Sequence, residues 1–323
     1  LSIKKVLITI AVLVVLYVSL IWFLVSAALI PSFMKKLTLF EKISEKCYGE
    51  QVQSDDIKQH IKNGARDYNN WLNTADMEAI REETEDGYTL KATLFHGDED
   101  SHIWVLVLHG YTGWKETMYG YAYIYSKKGC HVIVPDLRAQ GESEGDYIGM
   151  GWTDQFDCML YIDRIRSLDP DARIILHGQS MGAATALMMS AKESLSENVR
   201  FIVSECAYTD AFSMFGEKAG EWFHLPAFPF VDSMRLMLLA RGGYDLKDAD
   251  PLEAVKKSRI PTLFIHGDQD RMISMDHSVR LYQAASCPKE LVIIEGAGHA
   301  QAQAKNPTKY NSAIYRFMHN YAE

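Results

Sequence analysis

The 323-residue chain is long enough for one full-sized core or two small ones. Hydrophobic residues make up 48% and charged residues 23%, which excludes a disordered polyampholyte and fits a globular protein. The net charge of −9 is uneven: residues 1–36 hold four lysines and no acid, leaving about −13 on the remainder, which argues against nucleic acid as a partner.

Taken in chain order, the first element is apolar. Val6 to Ile30 carries no charge and is ended by Pro31. A bilayer core needs roughly 20 apolar residues, and a cleaved leader has an apolar run of only about 7–15. Residues 1–34 are therefore expected to form a retained transmembrane anchor, with cleavage after "VSA" at 25–27 as the alternative. Lys4 and Lys5 favour an inside N-terminus and an extracellular body at the cell membrane. Lys35, Lys36, Lys42 and Lys46 on the far flank pull the other way.

Residues 35–77 form a connector. Ser54 is a candidate N-cap for a helix whose apolar positions Ile57, Ile61, Tyr68, Trp71 and Leu72 recur at helical spacing. The expectation is a helix packed on the body, in preference to a membrane-surface helix.

From residue 78 to 323 strands alternate with helices. "MEAIREETEDGYTLKATLF" reads as two strands around Asp86-Gly87. "HIWVLVLHG" is a continuous apolar run, as expected of a strand buried on both faces. Further strands are "CHVIVPDLR", "ARIILHG", "RFIVSECA", "IPTLFIHG" and "ELVIIEG", with helices near 115–128, 152–167, 181–193, 276–285 and 307–320. The fold class is α/β, a mostly parallel sheet with helices on both faces. Residues 208–250, rich in Phe, Trp, Met and Pro, break the rhythm and are read as an inserted helical lid.

The five cysteines, Cys47, Cys130, Cys158, Cys206 and Cys287, are scattered without metal-ligand spacing or a disulfide framework, so buried free thiols are expected.

Gly178-Gln179-Ser180-Met181-Gly182 follows a strand and precedes a helix. A serine hydroxyl is a poor nucleophile until a histidine takes its proton, and the histidine must be oriented by a carboxylate. Asp268 and Asp270 follow the strand "PTLFIHG", and His299 follows "LVIIEGAG". All stand past the carboxyl end of a strand, where open α/β sheets build their sites. His109, His177 and His266 precede glycines at strand ends and are read as turn-packing or hydrogen-bonding residues.

The pentapeptide resembles the nucleophile elbow of the α/β-hydrolases. "HGDQDRMI" and "GAGH" resemble that family's acid and histidine loops. The resemblance runs from about residue 78 to the end and is nearest to bacterial membrane-anchored hydrolases of the Bem46 and YqkD type. It implies an α/β-hydrolase fold with catalytic Ser180, Asp270 and His299, Asp268 being the alternative acid. It also implies oxyanion donors in the backbone N–H groups of Met181 and Tyr111. "PDLRAQGESEG" at 135–145 is similar to the family's D-x-R-G-x-G-x-S loop, with Ala139 and Gln140 where Gly and His are usual. No metal or organic cofactor is implied.

The expected activity is a serine hydrolase acting on carboxylic esters, with a small-molecule or lipid-like acyl substrate. A peptidase or amidase on the same triad is the alternative within enzymes, and a membrane-tethered binding module the alternative outside them. Phe212, Phe215, Trp222 and Phe223 of the lid are candidate substrate contacts, unless they serve as the lid's own small core.

Overall fold

The computed structural model describes residues 2–30, 66–195 and 197–323, apart from the side chain of Phe223. The connector positions Ser54, Ile57 and Ile61, and with them Cys47, lie outside the described residues.

Helix α1 spans Ile3–Leu29. It is long and apolar enough to cross a membrane, with a mean hydropathy of 2.8, although a signal sequence passes the same test. Residues 66–74 form helix α2. Trp71 of α2 stacks on Phe95 at 5.1 Å, and Tyr68 meets Tyr123 edge-on, so this end of the connector packs on the body.

Eight strands follow: β1 (Met77–Glu83), β2 (Thr89–Phe95), β3 (Ile103–Leu108), β4 (His131–Pro135), β5 (Arg173–Gln179), β6 (Val199–Glu205), β7 (Thr262–Gly267) and β8 (Lys289–Ile294). They form one sheet in the order β1-β2-β4-β3-β5-β6-β7-β8. β2 is antiparallel to β1 and β4, and the pairs from β4 through β8 are parallel. The hairpin turns at Gly87, whose φ of 87° is open to glycine at no steric cost.

The helices between strands are α3 (Tyr119–Ser126), α4 (Asp154–Leu168), α5 (Met181–Met189), α6 (Ala211–Phe223), α7 (Ala227–Gly242), α8 (Pro251–Lys257) and α9 (Met275–Ala284). After β8 come α10 (Ala302–Lys305) and α11 (Pro307–Tyr321). Strand periodicity sorts the core into two layers. Trp104, Leu106 and Leu108 of β3 face the layer of α4, α5, α8 and α9, while Ile103, Val105 and Val107 face that of α3 and α11. Because both faces are covered, every residue of β3 is buried, which is why its sequence is continuously apolar.

The predicted helices agree within a few residues at their ends. The region expected to be a lid contains α6 and α7. Two helices were not predicted, the four-residue α10 and α8: α8 starts with Pro251 in its first turn, and the Asp250 carboxylate accepts the Glu253 N–H. Asp-Pro at a helix start was a legible signal. Cys130, Cys158, Cys206 and Cys287 are buried free thiols.

Candidate active site

Ser180 sits between β5 and α5 with φ 54° and ψ −114°. A non-glycine residue there costs roughly 1–3 kcal/mol and needs the surroundings to hold it. The Ser180 N–H donates to the Glu205 carbonyl at 2.8 Å, and its own carbonyl accepts the Ala184 N–H at 3.0 Å. The flanking glycines are sterically required. A β-carbon on Gly178 would lie 2.2 Å from the Gly182 oxygen, and one on Gly182 would lie 2.2 Å from the Leu108 oxygen. Both obstacles are backbone and cannot swing away.

His299 follows β8, and its Nε2 lies 3.0 Å from Ser180 Oγ. Its Nδ1 lies 2.7 Å from Asp270 Oδ2. A carboxylate only accepts, so Nδ1 carries the proton and Nε2 presents its lone pair to the serine hydroxyl. Asp270 Oδ1 accepts the backbone N–H groups of Met272 and Ile273, both at 2.8 Å. Asp268 is not in this line: it accepts the Gly296 N–H at 2.7 Å in an exposed turn.

The electrostatics agree with this polarity. Burial works to raise the Asp270 pKa, but the two imidazoles beside it, His299 and His266, hold it well below the ordinary carboxylate range. Burial works against a charged His299, yet the adjoining Cys206 and the Asp270 carboxylate raise its pKa well above the usual histidine value. Burial pushes the Cys206 thiol up, so Cys206 is an uncharged hydrogen-bonding neighbour and Asp270 supplies the charge. Cys206, Asp270 and His299 bring three donor atoms within 4.8 Å of one another. The Asp270 and His299 donors are already committed to each other, which makes this a proton-handling cluster.

The oxyanion candidates flank the serine. Met181 opens α5, so its N–H falls outside the intrahelical ladder. On the other side, a β-carbon on Gly110 would lie 3.2 Å from Ser180 Cβ, so the 110–111 backbone runs against the nucleophile. The Thr112 N–H donates to Gln140 Oε1 at 2.7 Å. Gln140, one of the two departures from the family loop, thus braces the Tyr111 turn. The other departure, Ala139, has φ 61°, which explains why glycine is usual there. His109 adds a second brace: its Nε2 accepts the Leu137 N–H at 2.9 Å, and its Nδ1–H donates to the Gly110 carbonyl at 2.8 Å.

Two supporting residues carried no signal in the sequence beyond their place at strand ends. His266 Nε2 faces two acceptors, Asp270 Oδ2 at 3.1 Å and the Ile273 carbonyl at 2.9 Å, so it donates and steadies the acid. Glu205 is buried behind the elbow, where its Oε2 accepts the hydroxyls of Tyr121 at 2.9 Å and Tyr310 at 2.7 Å. Gln179, inside the pentapeptide, donates to Tyr121 Oη at 2.7 Å. His177 continues this network, bonded to Tyr125 at 2.9 Å and to Tyr310 at 3.0 Å.

The lid candidates divide. Phe212 and Phe215 are half-buried against the core layer beneath α6. Trp222 is exposed near the far end of α6, about 15 Å along the helix from Phe212. The Phe223 side chain lies outside what is described.

The model described as "Alpha/beta hydrolase family" matches residues 105–310. YqkD of Bacillus subtilis is 27% identical over 236 residues, 72% of this chain and 76% of that protein. YfhR of Salmonella typhimurium is 26% identical over 256 residues, 76% of this chain and 82% of its own. Among solved structures, the Pyrococcus furiosus esterase Pf2001 aligns with a TM-score of 0.62 at 20% identity, covering 79% of this chain and 95% of its own. Est1E from Butyrivibrio proteoclasticus, solved with ferulic acid bound, aligns at 0.59 and 19% identity, covering 75% and 98%. Sheet order, strand-end geometry and the matched family model agree: the chain belongs to the alpha/beta hydrolase family.

Proposed function

We propose that the protein is a serine hydrolase of carboxylic esters. Ser180 Oγ attacks the ester carbonyl while His299 Nε2 takes its proton. Asp270 holds the ring in the required tautomer and offsets the charge that develops on it. The N–H groups of Met181 and Tyr111 stabilise the oxyanion. His299 then protonates the leaving alkoxide, and water, activated by the same imidazole, releases the acid. The observation that carries this reading is the unbroken line from Asp270 through His299 to Ser180, with spacings of 2.7 and 3.0 Å. The esterase structures of the same fold support an ester substrate by likeness.

The acyl group is assigned to the apolar side of the insertion, with the half-buried Phe212 and Phe215 as its contacts. α1 is assigned as a single membrane span with the body outside the cell. A chain-length series of p-nitrophenyl esters tests the substrate reading: kcat/KM rising beyond acetate is expected, and a flat series contradicts an acyl pocket. Anilides of the same acids should turn over far more slowly; equal rates would move the assignment to an amidase. Protease digestion of intact cells should reach the body, and digestion only in inverted vesicles would overturn the orientation.

A further inference from the structure

α1 does not leave the body at once. Ile21, Val25, Ser26 and Leu29 are buried, whereas the apolar residues from Ile3 to Leu20 are largely exposed. Its uncharged part, Val6 to Leu20, is about 22 Å long at 1.5 Å per residue, and with the Lys4 and Lys5 stems reaching to the far headgroups it covers most of the roughly 30 Å of a bilayer core. At its body end the helix is tied to the catalytic framework. The Tyr111 hydroxyl donates to the Ala28 carbonyl, and the Ile148 N–H donates to the Leu29 carbonyl at 2.9 Å.

The insertion runs back along this helix. Tyr17 Oη lies 2.8 Å from Ser233 Oγ and 3.3 Å from the Pro229 carbonyl, and its ring meets that of Phe230 at 5.9 Å. Arg241, at the other end of α7, lies 5.5 Å over Trp22. The N-terminal end of α7 is therefore level with Tyr17, about 7 Å further along α1 than Trp22. Phe228 is 76% exposed there, and Leu236 and Leu239 are exposed further along α7. The charged groups of α7 are largely compensated: Arg235 pairs with Asp245 and feels Asp232, and Arg241 lies between Trp22 and Tyr147.

We propose that the α6–α7 insertion is a second bilayer-contacting element, whose Phe228 turn enters the headgroup–acyl boundary of the leaflet beside α1. A lipid leaflet is the one occupant that would cover α1 and the end of α7 together, because the two lie side by side at the same depth. Interfacial elements bury their apolar face about 5–10 Å into that boundary, which matches the offset between Tyr17 and Trp22. The arrangement seats the loop carrying Tyr111, and the Ser180 site beside it, on the lipid surface. It rests on the reading of α1 as a span and deepens the proposal of an acyl substrate.

The test uses the full chain in phosphatidylcholine–phosphatidylglycerol vesicles. An NBD fluorophore is placed on Phe228→Cys, Val15→Cys or Glu99→Cys, each in a Cys47→Ser background. Val15 is an exposed position on α1, and Glu99 is an exposed position before β3, at the opposite end of the sheet from Ser180. Phospholipids brominated near the head of the acyl chain should quench the Phe228→Cys label at least about twofold more than the Glu99→Cys label, as expected for a boundary position. The Val15→Cys label, only about 3 Å from Tyr17 along the helix, should be quenched by the same lipids and reports the span itself. Quenching at 15 with none at 228 would overturn the proposal and leave the span intact. No quenching at any position would overturn the span and the proposal with it.

Discussion

The carboxyl end of the sheet and the α1–insertion region are built on different physics. At the sheet end the backbone decides geometry: Gly178 and Gly182 sit where no β-carbon fits, and Ser180 is held at positive φ by bonds from both sides. Around α7 few apolar side chains are buried, Val231 and Leu238 among them, while Phe228, Leu236 and Leu239 face outward. The first region is over-determined by its own chain. The second is held by a few hydrogen bonds, the Arg235–Asp245 pair and half-buried rings, with fewer buried apolar contacts to resist local opening. On the two proposals above, chemistry that needs positions held to a fraction of an ångström belongs to the first, and recognition of an apolar phase to the second.

Substitutions should break this contrast in graded steps. Ser180→Ala or His299→Ala should lower kcat/KM on a soluble ester by about 10⁴–10⁶-fold with an unchanged melting temperature. Retained turnover would remove both from the mechanism. Gly182→Ala forces a β-carbon to within 2.2 Å of the Leu108 oxygen and 2.6 Å of the His109 oxygen. It should cost about 3 kcal/mol or more, read as a fall in denaturation midpoint together with lost activity. The same change at Gly243 of the insertion meets no atom within 4 Å, although its φ of 74° still imposes strain, so it should cost about 1 kcal/mol.

Asp270→Asn separates charge from shape. His299 works as a base only when neutral, so kcat/KM rises with pH through its pKa. The Asp270 carboxylate raises that pKa. Without the charge the acidic limb should move to lower pH while the plateau falls by about 10²–10⁴-fold. A limb that stays in place would mean that Asp270 does not set the basicity of His299.

Tyr111→Phe removes the hydroxyl that reaches Ala28 and keeps the backbone donor. One neutral hydrogen bond contributes about 1 kcal/mol, so kcat/KM in vesicles should fall by no more than about tenfold. The smallest effect is expected at the insertion's contact with α9. The His277 ring accepts the Thr209 N–H at 3.1 Å and meets Glu217 of α6 at 3.2 Å. Glu217 is partly exposed, and such a pair is worth under about 1 kcal/mol. Glu217→Ala should speed hydrogen exchange in α6 and leave the sheet unchanged.

The same contrast explains what could be read from the sequence. Buried strands, the elbow pentapeptide and the strand-end Asp and His are short-range patterns, so the sheet and the line of Asp270, His299 and Ser180 were legible. Asp268 and Asp270 differ only by which turn position faces His299, and that is a matter of three dimensions. Glu205 acts through Tyr121 and Tyr310, 84 and 105 residues away, and His266 through Asp270, Ile273 and Ser278 in the turn and helix that follow it, and no short motif marks either role. The run of α7 along α1 was equally hidden, because Tyr17 and Ser233 are 216 residues apart.

The most direct test of the central claim is covalent labelling of the full chain in lipid vesicles with a fluorophosphonate, followed by peptide mapping. The account predicts one adduct, on Ser180, absent in Ser180→Ala and formed at least about 100-fold more slowly in His299→Ala. A folded wild type that takes no label, or an adduct that persists in Ser180→Ala, would contradict it.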